Sequence, residues 1–274
     1  MKFTAHVLLS VAVVVVLAAY SGGQQSFSPE AATSQEIANP HAPASCPHLF
    51  TAGKTASNAY IQYCVNDNGN ITSIETPFGH IHTGPGGEGY GLCQESPAIE
   101  YHDWLVDSAN WAAANVLSVN GSTIKISRTT SDGNWTLVQT ISKVAATGSI
   151  KLVMALTNNQ NVAKVAYLVR FAHFHPNENR VYAVGASLQS TFAWDGDSNS
   201  GAHQGVQLRN AGKWAGYQQG FIQDEVTPPN ACAFAFNALT VGVLISLDPT
   251  LVYAYADTVP AHGTKTVTMI YSGT

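Results

Sequence analysis

Charge is scarce in this sequence. Of its 274 residues, 12 are Lys or Arg and 17 are Asp or Glu, which leaves a formal net charge of -5 and a pI near 6.0. No cationic run occurs, so the electrostatic footprint of a nucleic-acid-binding protein is missing and nucleic acid drops out as a partner. The serine nucleophile elbow, the phosphate-binding loop and the zinc-protease helix are also missing. Helical periodicity is confined to one loose stretch, 101–115, where Trp104, Ala112 and Ala113 are the spaced apolar residues. Beyond residue 20 no apolar run is long enough for a membrane span, which needs about 20 residues.

The long apolar run that does exist opens the chain. Lys2 gives a positive start, residues 7–20 are apolar except for Ser10, and Ser21, Gly22 and Gly23 follow. This is the pattern of a secretory signal peptide over 1–21, with Ala19 and Ser21 as the small residues before the cut. Cleavage after Ala18 or Ala19 fits the same rule. Residues 22–45 carry Pro29, Pro40 and Pro43 among Ser, Ala, Gln and Gly, and read as a flexible linker. A secreted chain, extracellular or periplasmic, meets an oxidising compartment. The four cysteines, Cys46, Cys64, Cys93 and Cys232, are therefore expected in two disulfides. Three pairings exist; the favoured one joins Cys46 to Cys64 and Cys93 to Cys232. No pair has the close spacing of a zinc knuckle.

From residue 46 to 274 short strands alternate with turn signals. The strongest strand signal is 162–176, ending His173-Phe174-His175-Pro176. Val165, Tyr167, Val169, Phe171, His173 and His175 fall on one face, and Ala166, Leu168, Arg170, Ala172 and Phe174 on the other. Both faces are largely apolar, which predicts a central strand buried between two layers. Further strands are expected at 59–65, 71–76, 115–119, 123–128, 135–142, 149–157, 181–184, 188–194, 206–209, 233–236, 240–247, 251–256 and 266–271. Asn120-Gly121 predicts a type I′ hairpin, and 84–91 reads as a glycine-rich loop. The whole predicts one all-β domain, a large antiparallel sandwich of supersandwich type.

Four residue sets could carry chemistry. His80 with His82, and His173 with His175, are two His-x-His motifs whose imidazoles, with or without Glu88, could hold a first-row transition metal. The first motif resembles the histidine and glutamate pattern of cupins. Asp195, Asp197 and Asn199 place alternate oxygens in a glycine-containing loop that could wrap Ca2+; the fold itself requires no cofactor. His173, His175, Arg170, Asp224 and Glu225 could move protons on a sugar, with His173, His175 and Glu225 as the catalytic set. Trp104, Trp111, Trp135, Trp194 and Trp214, with Tyr90, Tyr101 and Tyr217, could stack on sugar rings. Within these sets Arg170, Trp194, Trp214 and Tyr217 are the expected ligand-binding residues.

The segment 156–176, a strand, an Asn-Asn turn, a strand and a terminal His-x-His-Pro, is similar to the corresponding region of galactose-mutarotase-like sandwiches. That resemblance implies a histidine and a carboxylate acting on a sugar hydroxyl and ring oxygen. Residues 88–93, 127–135, 168–172 and 259–268 resemble secreted bacterial β-sandwich proteins. Together these readings predict a secreted or cell-surface, non-catalytic sandwich that binds carbohydrate or another surface partner. Two alternatives stand beside it: a carbohydrate-active enzyme of mutarotase or lyase type, and a self-assembling structural subunit of an extracellular assembly.

Overall fold

Period-two alternation of buried and more exposed side chains marks residues 123–129, 135–144, 149–158 and 264–273. The computed structural model describes residues 46–53, 60–76, 81–83, 87–104, 107–173, 175–176, 181–186, 190–195, 205–212, 217–224, 231–232, 242–244 and 249–273. The expected signal peptide, the linker and the strand at 233–236 lie outside the described residues. Among them no helix is long and apolar enough to cross a membrane.

The strands form three sheets, and every pairing is antiparallel. A six-stranded sheet runs β17 (Tyr217–Asp224), β19 (Pro249–Val259), β12 (Lys164–His173), β5 (Glu88–Gln94), β6 (Ile99–Trp104) and β7 (Asp107–Ala109). A nine-stranded sheet runs β18 (Gly242–Leu244), β14 (Val181–Ala186), β15 (Ser190–Asp195), β16 (Gly205–Asn210), β20 (Thr264–Gly273), β11 (Ser149–Asn158), β10 (Trp135–Val144), β9 (Thr123–Thr129) and β8 (Asn115–Val119). A five-stranded sheet runs β1 (His48–Ala52), β2 (Ile61–Val65), β3 (Ile71–Glu75), β4 (Ile81–Thr83) and β13 (His175–Pro176).

The two larger sheets face each other across the main core. In β11, Ile150, Leu152, Met154 and Leu156 point inward, while Lys151 between them is exposed. They meet Leu92 and Tyr90 of β5, Leu168 and Ala172 of β12, and Tyr253 and Tyr255 of β19. The protein is therefore the all-β sandwich that the alternation predicts. Strand β12 sits inside its sheet, paired to β19 on one side and β5 on the other. Its second face is also buried: Val169 and Phe171 join Cys93, Trp104, Ala231, Val252 and Ala254 in a separate apolar cluster. Both disulfides, Cys46–Cys64 and Cys93–Cys232, take the favoured pairing.

Four local expectations are corrected. The stretch 162–176 is not one strand: β12 ends at His173, and β13 continues in the five-stranded sheet. The loosely helical 101–115 is β6 and β7 plus the start of β8, because Tyr101 and Asp103 face the core while His102 and Trp104 alternate outward. Much of the glycine-rich stretch is a fully buried strand, β5. A Cβ at Gly89 would lie 2.0 Å from the Asp103 carbonyl oxygen, and one at Gly91 2.8 Å from the Trp104 ring, so the glycines serve close packing. The 120–123 hairpin forms without a type I′ turn: Asn120 and Gly121 are not among the positive-φ residues. Instead the Asn120 Oδ1 accepts from the Ser122 amide at 2.9 Å and the Thr123 amide at 3.0 Å.

These two kinds of glycine should behave oppositely. Gly89→Ala should lower stability by at least about 1–3 kcal/mol, because backbone rather than a movable side chain blocks the new methyl. Gly121→Ala, with nothing within 4 Å of the new carbon, should change it by less than about 0.5 kcal/mol. Urea unfolding of both variants checks the pair, and an Ala tolerated at 89 contradicts the packing described.

Candidate functional site at the end of the central strand

Arg170 is a buried charge in a largely apolar strand, and a buried charge needs a partner. The structure supplies one from β5. Arg170 is 0% exposed, and its Nε and Nη2 donate to Glu88, the latter at 2.5 Å to Oε2. Its Nη1 donates to Gln139 Oε1 at 2.7 Å across the sandwich, and Nη2 donates to the Gly69 carbonyl at 3.1 Å. Glu88 also accepts from the Ile71 amide at 2.7 Å and the Tyr271 hydroxyl at 2.8 Å. Burial raises the Glu88 carboxyl above its ordinary value, against the pull of Arg170 and its other donors. Burial lowers and Glu88 raises the Arg170 value, with a net upward shift.

A second buried pair, Asp103 with Arg128, lies beside the first. Arg128 Nη1 also donates to the Tyr90 hydroxyl at 3.1 Å, and that hydroxyl donates to the Asn68 carbonyl at 2.9 Å. The Arg170 guanidinium stands 5.7 Å from the Tyr90 ring centroid. The tip of the first hairpin, 66–70, is thus drawn into the core by Gln139, Tyr90 and Arg170.

This network is the floor beneath the end of β12. Glu88 is the register partner of Ala172, and the next residue, His173, donates its amide to the Gly87 carbonyl at 2.9 Å. His173 is buried, with Nδ1 3.2 Å from Thr250 Oγ1. Thr250 pairs with His173 on one side and Gln223 of β17 on the other. Gly87, His173, Thr250 and Gln223 therefore form one row, and the chain beyond Gln223 and Asp224 leads directly to Glu225. Beside this row, β13 sets His175 opposite Thr83 and Pro176 opposite His82. Strand β15, which carries Trp194 and Asp195, packs against β13 and β17.

The fold thus gathers the strands bearing His82, His173, His175, Trp194 and Asp195 towards one region. His80, Asp197, Asn199, Trp214 and Glu225 lie outside the described residues. Tyr217 is separated: it pairs with Ala256, as does Tyr167. Six residues along β19 divide that row from Thr250, about 20 Å of strand. Arg170 faces the core, engaged with Glu88, Gln139 and Gly69. Both Glu88 oxygens are likewise engaged within the chain. Trp104, Trp111 and Trp135, with Tyr90 and Tyr101, are core residues rather than loop platforms.

Sequence reasoning missed Thr250 and Gln223, because no motif marks them; only cross-strand register brings them to His173. It placed Arg170 on a buried strand and expected it to bind ligand; the signal it lacked was an acid two positions along β5 from Tyr90, the register partner of Arg170.

No family model and no curated protein sequence matches the chain. The fold is shared with a bacterial glucoamylase. The solved structure of that enzyme complexed with acarbose superposes over 82% of this chain and 31% of its own, with a TM-score of 0.55 at 9% identity. The chain thus spans about a third of the glucoamylase's length. Other similar structures are a galactose mutarotase related enzyme from Lactobacillus acidophilus (5% identity, 83% and 97% covered, TM-score 0.42) and a polysaccharide lyase (11% identity, 82% and 32% covered, TM-score 0.37).

The network makes an alkaline prediction. Burial and then Glu88 raise the Tyr271 hydroxyl well above its ordinary value, and burial pushes Tyr253 up to about 12. A phenol whose folded pKa is raised favours the fold below its unfolded value, near 10, and that contribution is lost as pH climbs towards the folded value. Stability should therefore fall above about pH 10, with these tyrosines ionising only as the protein unfolds. Tyr271→Phe should cost about 1–3 kcal/mol by removing a donor from Glu88. Tyrosinate absorbance followed beside circular dichroism checks this; complete ionisation with the fold intact would contradict it.

Proposed function

We propose that the chain is an exported, non-catalytic β-sandwich that binds carbohydrate at the end of the six-stranded sheet. The observation that carries this reading is the convergence of the β12 end with β13, β15 and the end of β17. That convergence brings the strand of Trp194, an indole able to stack on a sugar ring, near hydroxyl, amide and imidazole groups able to bond sugar hydroxyls. The shared fold supports it, since the bacterial glucoamylase that has this sandwich was solved with acarbose bound. The two disulfides fit an oxidising, extracellular or periplasmic setting. The engagement of Glu88 and Asp103 by arginines supports a binding rather than a catalytic role, because neither carboxylate is left to move protons.

One specific observation favours a second reading. The row His173–Thr250–Gln223 sets the last residues of β17 at the same sheet end as His173, and proton transfer of mutarotase or lyase type would use His173, His175 and Glu225. The register of β4 with β13 likewise sets His82 and His175, one histidine of each motif, on paired strands, which a first-row metal site would use.

Glycan-array screening followed by titration calorimetry of the mature protein separates these. Saturable oligosaccharide binding is expected, and Trp194→Ala should weaken it about tenfold. Binding to no glycan, with no heat at millimolar oligosaccharide, removes the binding reading. Under the second reading the unmodified protein turns over a sugar, and His175→Ala abolishes turnover while leaving the fold intact; absence of any sugar-dependent activity ends it. Elemental analysis of the purified protein decides the metal.

A further inference from the structure

The outer face of the six-stranded sheet is apolar, yet it is buried. Trp104, Val169, Phe171, Val252 and Ala254 lie on that face and are 5% exposed or less. Part of what covers them is the short segment Ala231–Cys232. Ala231 is fully buried in the same cluster, and Cys232 is bonded to Cys93 of β5. Gly91 makes room for this cover: a Cβ there would lie 2.9 Å from the Ala231 Cβ as well as against the Trp104 ring.

The cover is also held by a polar contact. The Ala231 amide donates to Glu100 Oε1 at 2.6 Å. Glu100, His102 and Trp104 alternate onto this outer face of β6, and the His102 ring stacks flat on Trp104 at 5.4 Å and 4°. His102 Nε2 is 3.1 Å from Asp107 Oδ2 on the edge strand β7. On its other side His102 Nδ1 is buried, has no hydrogen-bond partner among the described residues, and stands 3.7 Å from the same Glu100 Oε1. A neutral imidazole owns one N–H. Donating it to Asp107 leaves the Nδ1 lone pair facing a carboxylate oxygen, acceptor against acceptor. A proton at Nδ1 turns that opposition into a charge-assisted contact and sets a cation against the Trp104 ring. Among the described residues, the charged groups facing the ring are Glu100 of β6 and Asp107 of β7; β5 presents Gly91 in register and the cover segment presents Ala231.

We propose that His102 is a pH-sensitive latch: proton uptake at Nδ1 ties Glu100, and through it the Ala231–Cys232 cover, to the β6–β7 edge, closing the outer face of the sheet in mildly acidic surroundings. Histidine is the side chain whose charge changes between about pH 5 and pH 8, so an exported protein meets the range that works the latch. This inference does not depend on the carbohydrate reading.

The test uses the full, disulfide-intact chain. Hydrogen exchange at the Ala231 amide, corrected for the intrinsic pH dependence of exchange, is measured near pH 5.5 and pH 8, with tryptophan fluorescence followed over the same range. Protection of Ala231 should rise about two- to fivefold at the lower pH, the scale of a partly exposed ion pair. Trp104 emission should fall in step as the stacked ring gains its charge. His102→Gln should remove both changes. Should that variant not fold, Asp107→Asn, altered at an exposed edge position, should fold and move the fluorescence midpoint to lower pH. Equal protection at both pH values, the same pH response in His102→Gln, or an unmoved midpoint in Asp107→Asn overturns the latch.

Discussion

Withdrawing a guanidinium and a carboxylate from water costs several kcal/mol for each ion, and mutual attraction offsets this only when the remaining donors and acceptors are also satisfied. Glu88 and Arg170 meet that condition. Glu88 lies on β5, Gln139 on β10 of the facing sheet, Tyr271 on β20, and Gly69 in the hairpin between β2 and β3. One side chain on one central strand therefore connects all three sheets. The requirement fixes register as well. A one-residue slip of β12 against β5 would turn Arg170 onto the outer, apolar face and leave Glu88 unpaired in the core.

The second pair strengthens the same logic. Tyr90 touches both arginines, through its hydroxyl to Arg128 and its ring face to Arg170. Tyr90 therefore links the two pairs, and each pair keeps its own set of hydrogen-bond partners. The functional consequence is a rigid floor under the end of β12. His173 is placed by Gly87 and Thr250 one register step beyond Glu88. The outer face, by contrast, carries the short segment Ala231–Cys232, held by a disulfide and by Glu100.

Elements with long alternation were legible in the sequence, because burial on one face leaves a period-two trace: β9, β10, β11 and β20 sit where the pattern puts them. Strand β5 was not, because Gly89 and Gly91 read as loop residues, whereas their missing side chains make room for the Asp103 backbone, Trp104 and Ala231. Strand β17 was hidden because its polar run Gln218 and Gln219 resembles a binding loop. At the site, the His-x-His spacing drew attention to the correct strand end. Its neighbours Thr250 and Gln223 arise from pairings separated by dozens of residues, which no local pattern encodes. Arg170 was legible as a charge on a buried strand, expected there to bind ligand; Glu88, 82 residues earlier in the chain, was not legible as its partner.

The central claim is that Glu88 and Arg170 act as one interaction on which the sandwich depends. A double-mutant cycle tests it most directly: Glu88→Gln, Arg170→Met and the double variant, each unfolded in denaturant. Each single change should lose about 3–5 kcal/mol by leaving its partner buried and unpaired. The double variant should lose no more than the worse single, a coupling of about 2 kcal/mol or greater. Losses that simply add, or single losses below about 1 kcal/mol, would show that the ion pair is incidental and that apolar packing alone holds the three sheets together.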